Sequence, residues 1–319
     1  MAGPLFRSVL APRLDAFLRT RCVGSRGQHT RKILRYLDQF LTRELKPGQT
    51  INREVAERWM ASMKDLSPGT RSDRIAVLRQ FCRYLSYFNP HTYSVPRNCA
   101  PRRTRPAPHI YTRGEVRKIM AGAKRVGPPG SLRPMVVFTL IGLLYATGLR
   151  IGEALNLTLG EVDLKLRLLL VQKGKFNKSR YVPISPSTAR QLATYLRRRQ
   201  KAGFSTASTA PLFINLSGVK YGHAAFTSVF LQILRKSGLR GHKGQRGPRV
   251  HDLRHAFAVG RLLAWYKEGV DLGAKLPLLS TYLGHTGITG TQVYLHATAQ
   301  LLGSVSRRFH TFFAGPHEN

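Results

Sequence analysis

His251-Asp252-Leu253-Arg254-His255 is followed by Gly284-His285 and, nine residues after His285, by Tyr294. Those side chains, in that order, suit a phosphate diester. A phenol can attack phosphorus, and an imidazole can accept its proton or hydrogen-bond a non-bridging oxygen. A guanidinium can clamp the same phosphate at two points and offset the charge of a pentacoordinate transition state. Arg150 lies upstream in Gly148-Leu149-Arg150-Ile151-Gly152-Glu153, where a glycine ends one apolar helix and another begins. An arginine at a helix start can face a phosphate beside free backbone N–H groups, and Glu153, one turn on, can orient it.

Lys175 sits in the turn Lys173-Gly174-Lys175-Phe176-Asn177-Lys178-Ser179-Arg180. A lysine there can enter the minor groove of DNA and protonate a leaving 5′ oxygen, if neighbouring cations lower its pKa. Spacing does not choose among Lys173, Lys175 and Lys178, and a nonspecific phosphate clamp is the other role open to them. His251 and His255, four residues apart, raise a metal alternative. The segment lacks the glutamate of H-E-x-x-H, however, and an arginine beside the site would repel a dication, so no metal is expected. One tyrosine among twelve is ordinarily structural; the ordered set around Tyr294 is what singles it out.

Lys and Arg total 52 against 15 acidic residues, a formal charge of +37. An excess that large repels itself unless a polyanion neutralises it, nucleic acid first and an anionic membrane surface second. Composition does not separate DNA enzymes from structural RNA binders. With 42% hydrophobic residues over 319 positions, about two domains with real cores are expected. Cys22, Cys82 and Cys99 form no C-x-x-C pair, which argues against a disulfide framework or thiolate zinc and fits a reducing cytosol. The longest apolar run, Val136 to Tyr145, is interrupted by Thr139 and Gly142. It is too short for a bilayer and reads as a buried helix. The acid-poor, Arg-rich start resembles a transit peptide in composition, but the first basic helix of a DNA-binding lobe is the preferred reading.

These groups need elements to position them. Helical stripes run through Val9, Leu10, Leu14, Phe17 and Leu18, then Ile33, Leu34, Tyr36, Leu37, Phe40 and Leu41, then Ile75, Leu78, Cys82, Leu85 and Phe88. Asn52 and Ser67-Pro68 mark helix starts between them. That predicts an all-helical lobe over residues 1–95. From 96 to 110 prolines alternate with Arg97, Arg102, Arg103 and Arg105, a linker suited to lie along DNA. A second domain starts at 111. It has apolar helices, a hairpin of Leu166–Val171 with Arg180–Ile184, and helices over 187–200, 224–236, 251–267 and 275–283. The fold class is therefore mainly α with a small β-sheet, in two domains. Loop residues Arg240, His242, Lys243, Arg246 and Arg249, and the run Arg197-Arg198-Arg199, are candidates for phosphate contacts.

Five ordered motifs together resemble the tyrosine recombinase (phage integrase) family: Gly148–Glu153, Gly174-Lys175-x-Asn177-Lys178-x-Arg180-x-Val182-Pro183, His251–His255, Leu283-Gly284-His285, and Tyr294-x-His296. The match spans roughly residues 110 to 300; the helical lobe is similar to that family's core-binding (SAM-like) domain in character only. The resemblance implies a nucleophile, Tyr294; a phosphate-binding pair, Arg150 and Arg254; a general acid, Lys175; and two histidine positions, His251 and His285. Gly174-Lys175-Phe176, preceded by Lys173, departs from the commoner Gly-Lys-Gly, and Gly287-Ile288-Thr289-Gly290 from the commoner Ser-rich turn.

The reaction so implied is cleavage through a 3′-phosphotyrosyl link and rejoining without ATP, metal or other cofactor. The implied partners are double-stranded DNA and further copies in a homo-tetramer, with other recombinases as possible companions and no membrane. The compartment is the bacterial cytoplasm at the nucleoid, and the role is integration, excision or transposition of a mobile element. The tail 301–319, with Leu301, Leu302, Val305 and Phe309, would dock on a neighbouring subunit or fold back on its own core. Rival readings are type IB topoisomerase-like or telomere-resolvase cleavage, noncatalytic DNA binding, and structural RNA binding.

Overall fold

The computed structural model describes residues 4–21, 25–102, 108–172, 179–242, 245, 247–285, 287, 291, 294 and 303. The chain divides into two compact units, Met1–Pro106 and Ala107–Asn319. Lys173, Lys175, Lys178, Arg103, Arg105, Lys243, Arg246 and, apart from Gly303, the tail from 301 lie outside the described residues.

The first unit holds α1 (Ala11–Arg21), α2 (Ser25–Glu44), α3 (Arg53–Ala61) and α4 (Pro68–Leu85). Leu14, Phe17, Leu34, Leu37, Leu41, Leu78 and Phe81 fill its core. The anticipated starts are capped: the Asn52 side chain accepts the Val55 N–H at 2.9 Å, and Ser67 accepts that of Thr70 at 3.3 Å, with Pro68 in the first turn. Three stripe residues do not enter the core. Val9, Tyr36 and Phe88 are 38%, 40% and 51% exposed. Val9 precedes α1 and Phe88 follows the end of α4, so helical phase no longer carries either inward. Phe88 instead carries the Arg13 guanidinium at 3.8 Å, and Tyr36 that of Arg74 at 4.3 Å. Arg79 fastens the segment after α4 by donating to the carbonyls of Val95 (3.0 Å), Pro96 (2.6 Å) and Arg97 (3.2 Å).

The second unit runs α5 (Arg113–Ala123), α6 (Arg133–Thr147), α7 (Ile151–Asn156), β1 (Val162–Asp163), β2 (Leu168–Val171), β3 (Arg180–Pro183), α8 (Pro186–Lys201), α9 (His223–Lys236), α10 (Asp252–Lys267) and α11 (Leu272–Leu283). α6 is apolar almost all round and is buried between α5, α8 and α10. Thr112 and Glu115 form a capping box that starts α5. The sheet is antiparallel in the order β1-β2-β3, with Val171 opposite Arg180 and Leu169 opposite both Val162 and Val182. β1 is too short to carry a periodic signal and was not anticipated. α11 begins three residues before the expected Lys275, because the Asp271 carboxylate accepts the Gly273 N–H at 2.8 Å and caps it. No described helix is long and apolar enough to cross a membrane.

Candidate active site

α6 ends at Gly148 in the left-handed region (φ 63°). A Cβ there would lie 2.5 Å from the Phe257 ring and 3.0 Å from Leu283, so the turn admits only glycine. The turn leaves Arg150 in extended backbone as the N-cap of α7. Glu153 reaches back one turn: Oε2 accepts the Arg150 backbone N–H at 2.9 Å, and Oε1 accepts Nη1 of its guanidinium at 2.7 Å. Arg150 Nη2 donates to the Gly284 carbonyl at 3.1 Å, tying the start of α7 to the end of α11.

Arg254, in the first turn of α10, is 2% exposed. Nη1 donates to the Gly148 carbonyl at 2.8 Å, and Nη2 to the Leu283 carbonyl and to His285 Nε2, both at 2.8 Å. Desolvation, and then the charge of Arg150, lower its pKa to about 10, which leaves it cationic at neutral pH. Because Arg254 donates to Nε2, His285 is the neutral tautomer protonated on Nδ1, and that N–H faces Thr291 Oγ1 at 2.8 Å. The Thr291 side chain is itself fully buried.

Tyr294 is 3% exposed and packs in the small core shared by α10 and α11. Its ring is nearly parallel to that of His285 at 6.3 Å and tilted against that of His255 at 5.3 Å. A side-chain hydrogen bond joins it to Arg254. His251 occupies the N-cap position of α10 at the solvent rim without a capping hydrogen bond, its ring perpendicular to that of His255 at 4.9 Å. Desolvation of the ring, followed by the nearby His255 and Arg254, pushes the His251 pKa down to about 4. Desolvation lowers that of His255 as well. Buried His255 Nδ1 has no hydrogen-bond partner among the described residues.

Five of the six anticipated residues, Arg150, His251, Arg254, His285 and Tyr294, therefore converge from α7, α10, and the segment after α11. The sixth, Lys175, lies outside the described residues; β3, which follows it in the chain, reaches the site through Arg180.

One motif position that carried no assigned role joins them. Arg180 of β3 donates through Nη1 and Nη2 to the Glu153 carboxylate at 3.2 and 2.9 Å, and through Nε to the Tyr282 carbonyl at 2.9 Å. Strand alternation carried the signal, since Arg180 falls on the same face as buried Val182. Burial alone would raise the Glu153 pKa, but hydrogen bonds from Arg180 and the Arg150 N–H, with both guanidinium charges, hold the carboxyl below its usual range.

Two arginines proposed for phosphate have other work. Arg199 is 2% exposed and spends its guanidinium on the Ser205 and Pro211 carbonyls. Arg240, half-buried, donates to the carbonyls of Pro248 at 2.7 Å and Gln245 at 2.8 Å, closing its own loop. The fork that suits a phosphate suits backbone carbonyls equally, and proximity in the loop decides. Arg102, Arg197, Arg198, His242 and Arg249 are exposed.

Residues 110–300 match the model of the phage integrase family. The chain is 35% identical over 262 residues to y4rB of Sinorhizobium fredii (strain NBRC 101917 / NGR234), named an integrase/recombinase; the match covers 81% of this chain and 83% of that one. It is 31% identical over 245 residues to the tyrosine recombinase XerD of Lacticaseibacillus casei, covering 76% and 78%. In fold it resembles the Tn1549 transposon integrase solved with a circular intermediate DNA, with a TM-score of 0.68, 17% identity, and 90% and 94% of the two chains covered. The chain belongs to the phage integrase family, the tyrosine recombinases.

Proposed function

We propose that this protein is a site-specific DNA recombinase that cuts and rejoins duplex DNA through a 3′-phosphotyrosyl intermediate at Tyr294, in the integration, excision or transposition of a mobile element. The observation that carries this reading is the hydrogen-bonded set Arg150, Arg254, His285 and Tyr294, joined through Gly284 and Arg254. Arg150 and Arg254 bind the scissile phosphate, and their fixed guanidiniums supply the cationic field a metal would otherwise provide. Tyr294 Oη attacks phosphorus, the bond to the 5′ oxygen breaks, and Lys175 gives that oxygen a proton. His251, neutral at physiological pH, receives the phenolic proton. His285 accepts from Arg254 through Nε2 and so steadies the guanidinium against the phosphate. In the second step the 5′ hydroxyl of a partner duplex attacks the phosphotyrosyl link, so the diester energy is conserved and no ATP is needed.

The helical unit is the core-binding domain, the basic segment near Arg102 follows the DNA backbone, and the chain acts as a homo-tetramer on two duplexes. The relative named for a transposon supports the mobile-element role, and the formal charge of +37 supports a polyanionic partner.

The test is a duplex carrying candidate element ends, nicked close to the cleavage position so that the adduct is trapped. A covalent protein–DNA species on a denaturing gel, lost in Tyr294→Phe while duplex binding persists, is the expected result. Tight binding without adduct on every end tried would favour noncatalytic binding. Relaxation of supercoiled plasmid with no strand exchange would favour the topoisomerase-like reading.

A further inference from the structure

Glu153 orients Arg150, but a carboxylate this close also cancels the charge that a phosphate must meet. The Glu153 side chain is 7% exposed and that of Arg150 24%, so little water screens the pair. A second guanidinium answers this. Arg180, 13% exposed, donates to both oxygens of the same carboxylate, and the three side chains together carry one net positive charge. Arg180 is also fixed from behind by the Tyr282 carbonyl at 2.9 Å. Gly284 makes room for it, since a Cβ there would lie 2.7 Å from Arg180 Nη1 and 2.9 Å from Cζ. The same glycine's carbonyl receives Arg150. The end of α11 thus holds both arginines on either side of one carboxylate.

We propose that Arg180 is a positioning residue for strand cleavage: as the counter-ion of Glu153, it lets Glu153 orient Arg150 while the Arg150 charge stays available to the scissile phosphate. This rests on the reading of Arg150 as a phosphate ligand.

The experiment measures single-turnover adduct formation at saturating nicked duplex for wild type, Arg180→Gln, Arg180→Lys, Glu153→Gln and the double variant Glu153→Gln/Arg180→Gln. A thermal melt and duplex Kd accompany each. Arg180→Gln is expected to slow adduct formation on the order of 100-fold with duplex Kd little changed. Arg180→Lys keeps the charge and should stay within about tenfold of wild type. The double variant restores one net positive charge, and its amide oxygen still accepts from Arg150, so it should recover at least about tenfold over Arg180→Gln. A double variant as slow as Arg180→Gln, or Arg180→Lys as slow as Arg180→Gln with unchanged melting, would overturn the proposal.

Arg180→Gln leaves the buried Glu153 carboxylate with Arg150 as its charged partner. If it melts below the assay temperature, the double variant, which buries no carboxylate there, decides. Adduct formation within about tenfold of wild type then supports the counter-ion role, and a loss as deep as that of Arg150→Ala defeats it. A wild-type chain that forms no adduct fails the recombinase reading and this inference with it. A wild-type adduct with an unslowed Arg180→Gln fails this inference alone.

Discussion

At the residue scale, the surroundings of His251 change its ordinary chemistry. A free imidazole titrates near 6.5, whereas this one is held down to about 4. It is therefore neutral, and able to accept a proton, through the range where histidine usually charges. Adduct formation should stay level as pH is lowered from 8 to about 5.5, apart from whatever the DNA contributes. A fall centred near 6.5 in the wild type would contradict a neutral His251. The stability linkage has a definite sign. Between 6.5 and about 4 the unfolded chain binds a proton that the folded chain refuses, so stability is full above 6.5 and declines as pH falls towards 4. His255, also lowered, adds to the same decline. Glu153, with a depressed folded pKa, contributes stability above its unfolded value of 4.5 that is lost only as pH falls through the lower folded value. Denaturant midpoints at pH 7, 6 and 5 should decrease in that order, and less steeply for His251→Asn. At Arg254, a lysine would offer one point of charge where the guanidinium now reaches Gly148, Leu283 and His285. Arg254→Lys should slow adduct formation by about 100- to 1,000-fold at saturating duplex. Residue types in order single out Arg150, His251, Arg254, His285 and Tyr294, and the fold brings these five together. Arg180 stands in one of the same motifs, but its contact with Glu153 joins residues 27 apart, which residue order does not reveal.

Among the elements, those with a local cause were readable. Caps at Asn52 and Ser67 and the glycine stop at Gly148 act within a turn, and all lie where the sequence put them. Helix ends with weaker local signals moved by a few residues, as at α11, and β1 went unseen because a two-residue strand shows no alternation. The Gly148 turn is the element most exposed to a single substitution. Gly148→Ala forces a Cβ to 2.5 Å from the Phe257 ring in a left-handed conformation. It should cost about 1–3 kcal/mol, read as a lowered melting temperature. Its carbonyl holds Arg254, so adduct formation should fall further than the lost folded fraction explains. Equal losses in the two measurements would confine the turn to a structural role.

Over the whole molecule, a charge of +37 makes duplex affinity a strong function of salt. The slope of log K against log salt should approach about −0.9 per neutralised phosphate, and Arg102→Ala should make it shallower by about one such increment if that residue meets the backbone. On the proposed reading, in which Arg150 and Arg254 supply the charge at the phosphate, EDTA should leave adduct formation intact; loss in EDTA restored by Mg²⁺ would contradict that. The two-part, mainly helical architecture follows from hydrophobic period and a Pro/Arg stretch, both of which are properties of consecutive residues. So does the family, since five motifs in order survive in the one-dimensional string. What only the tertiary structure decided is which cations are committed. Arg199, Arg240 and Arg254 all donate to backbone carbonyls, but Arg199 and Arg240 bond within their own segments, whereas Arg254 is held beside Arg150, His285 and Tyr294, and Arg180 is directed at a carboxylate from another element. A guanidinium takes whichever acceptor is in reach when burial removes water, and folding alone determines which acceptor that is.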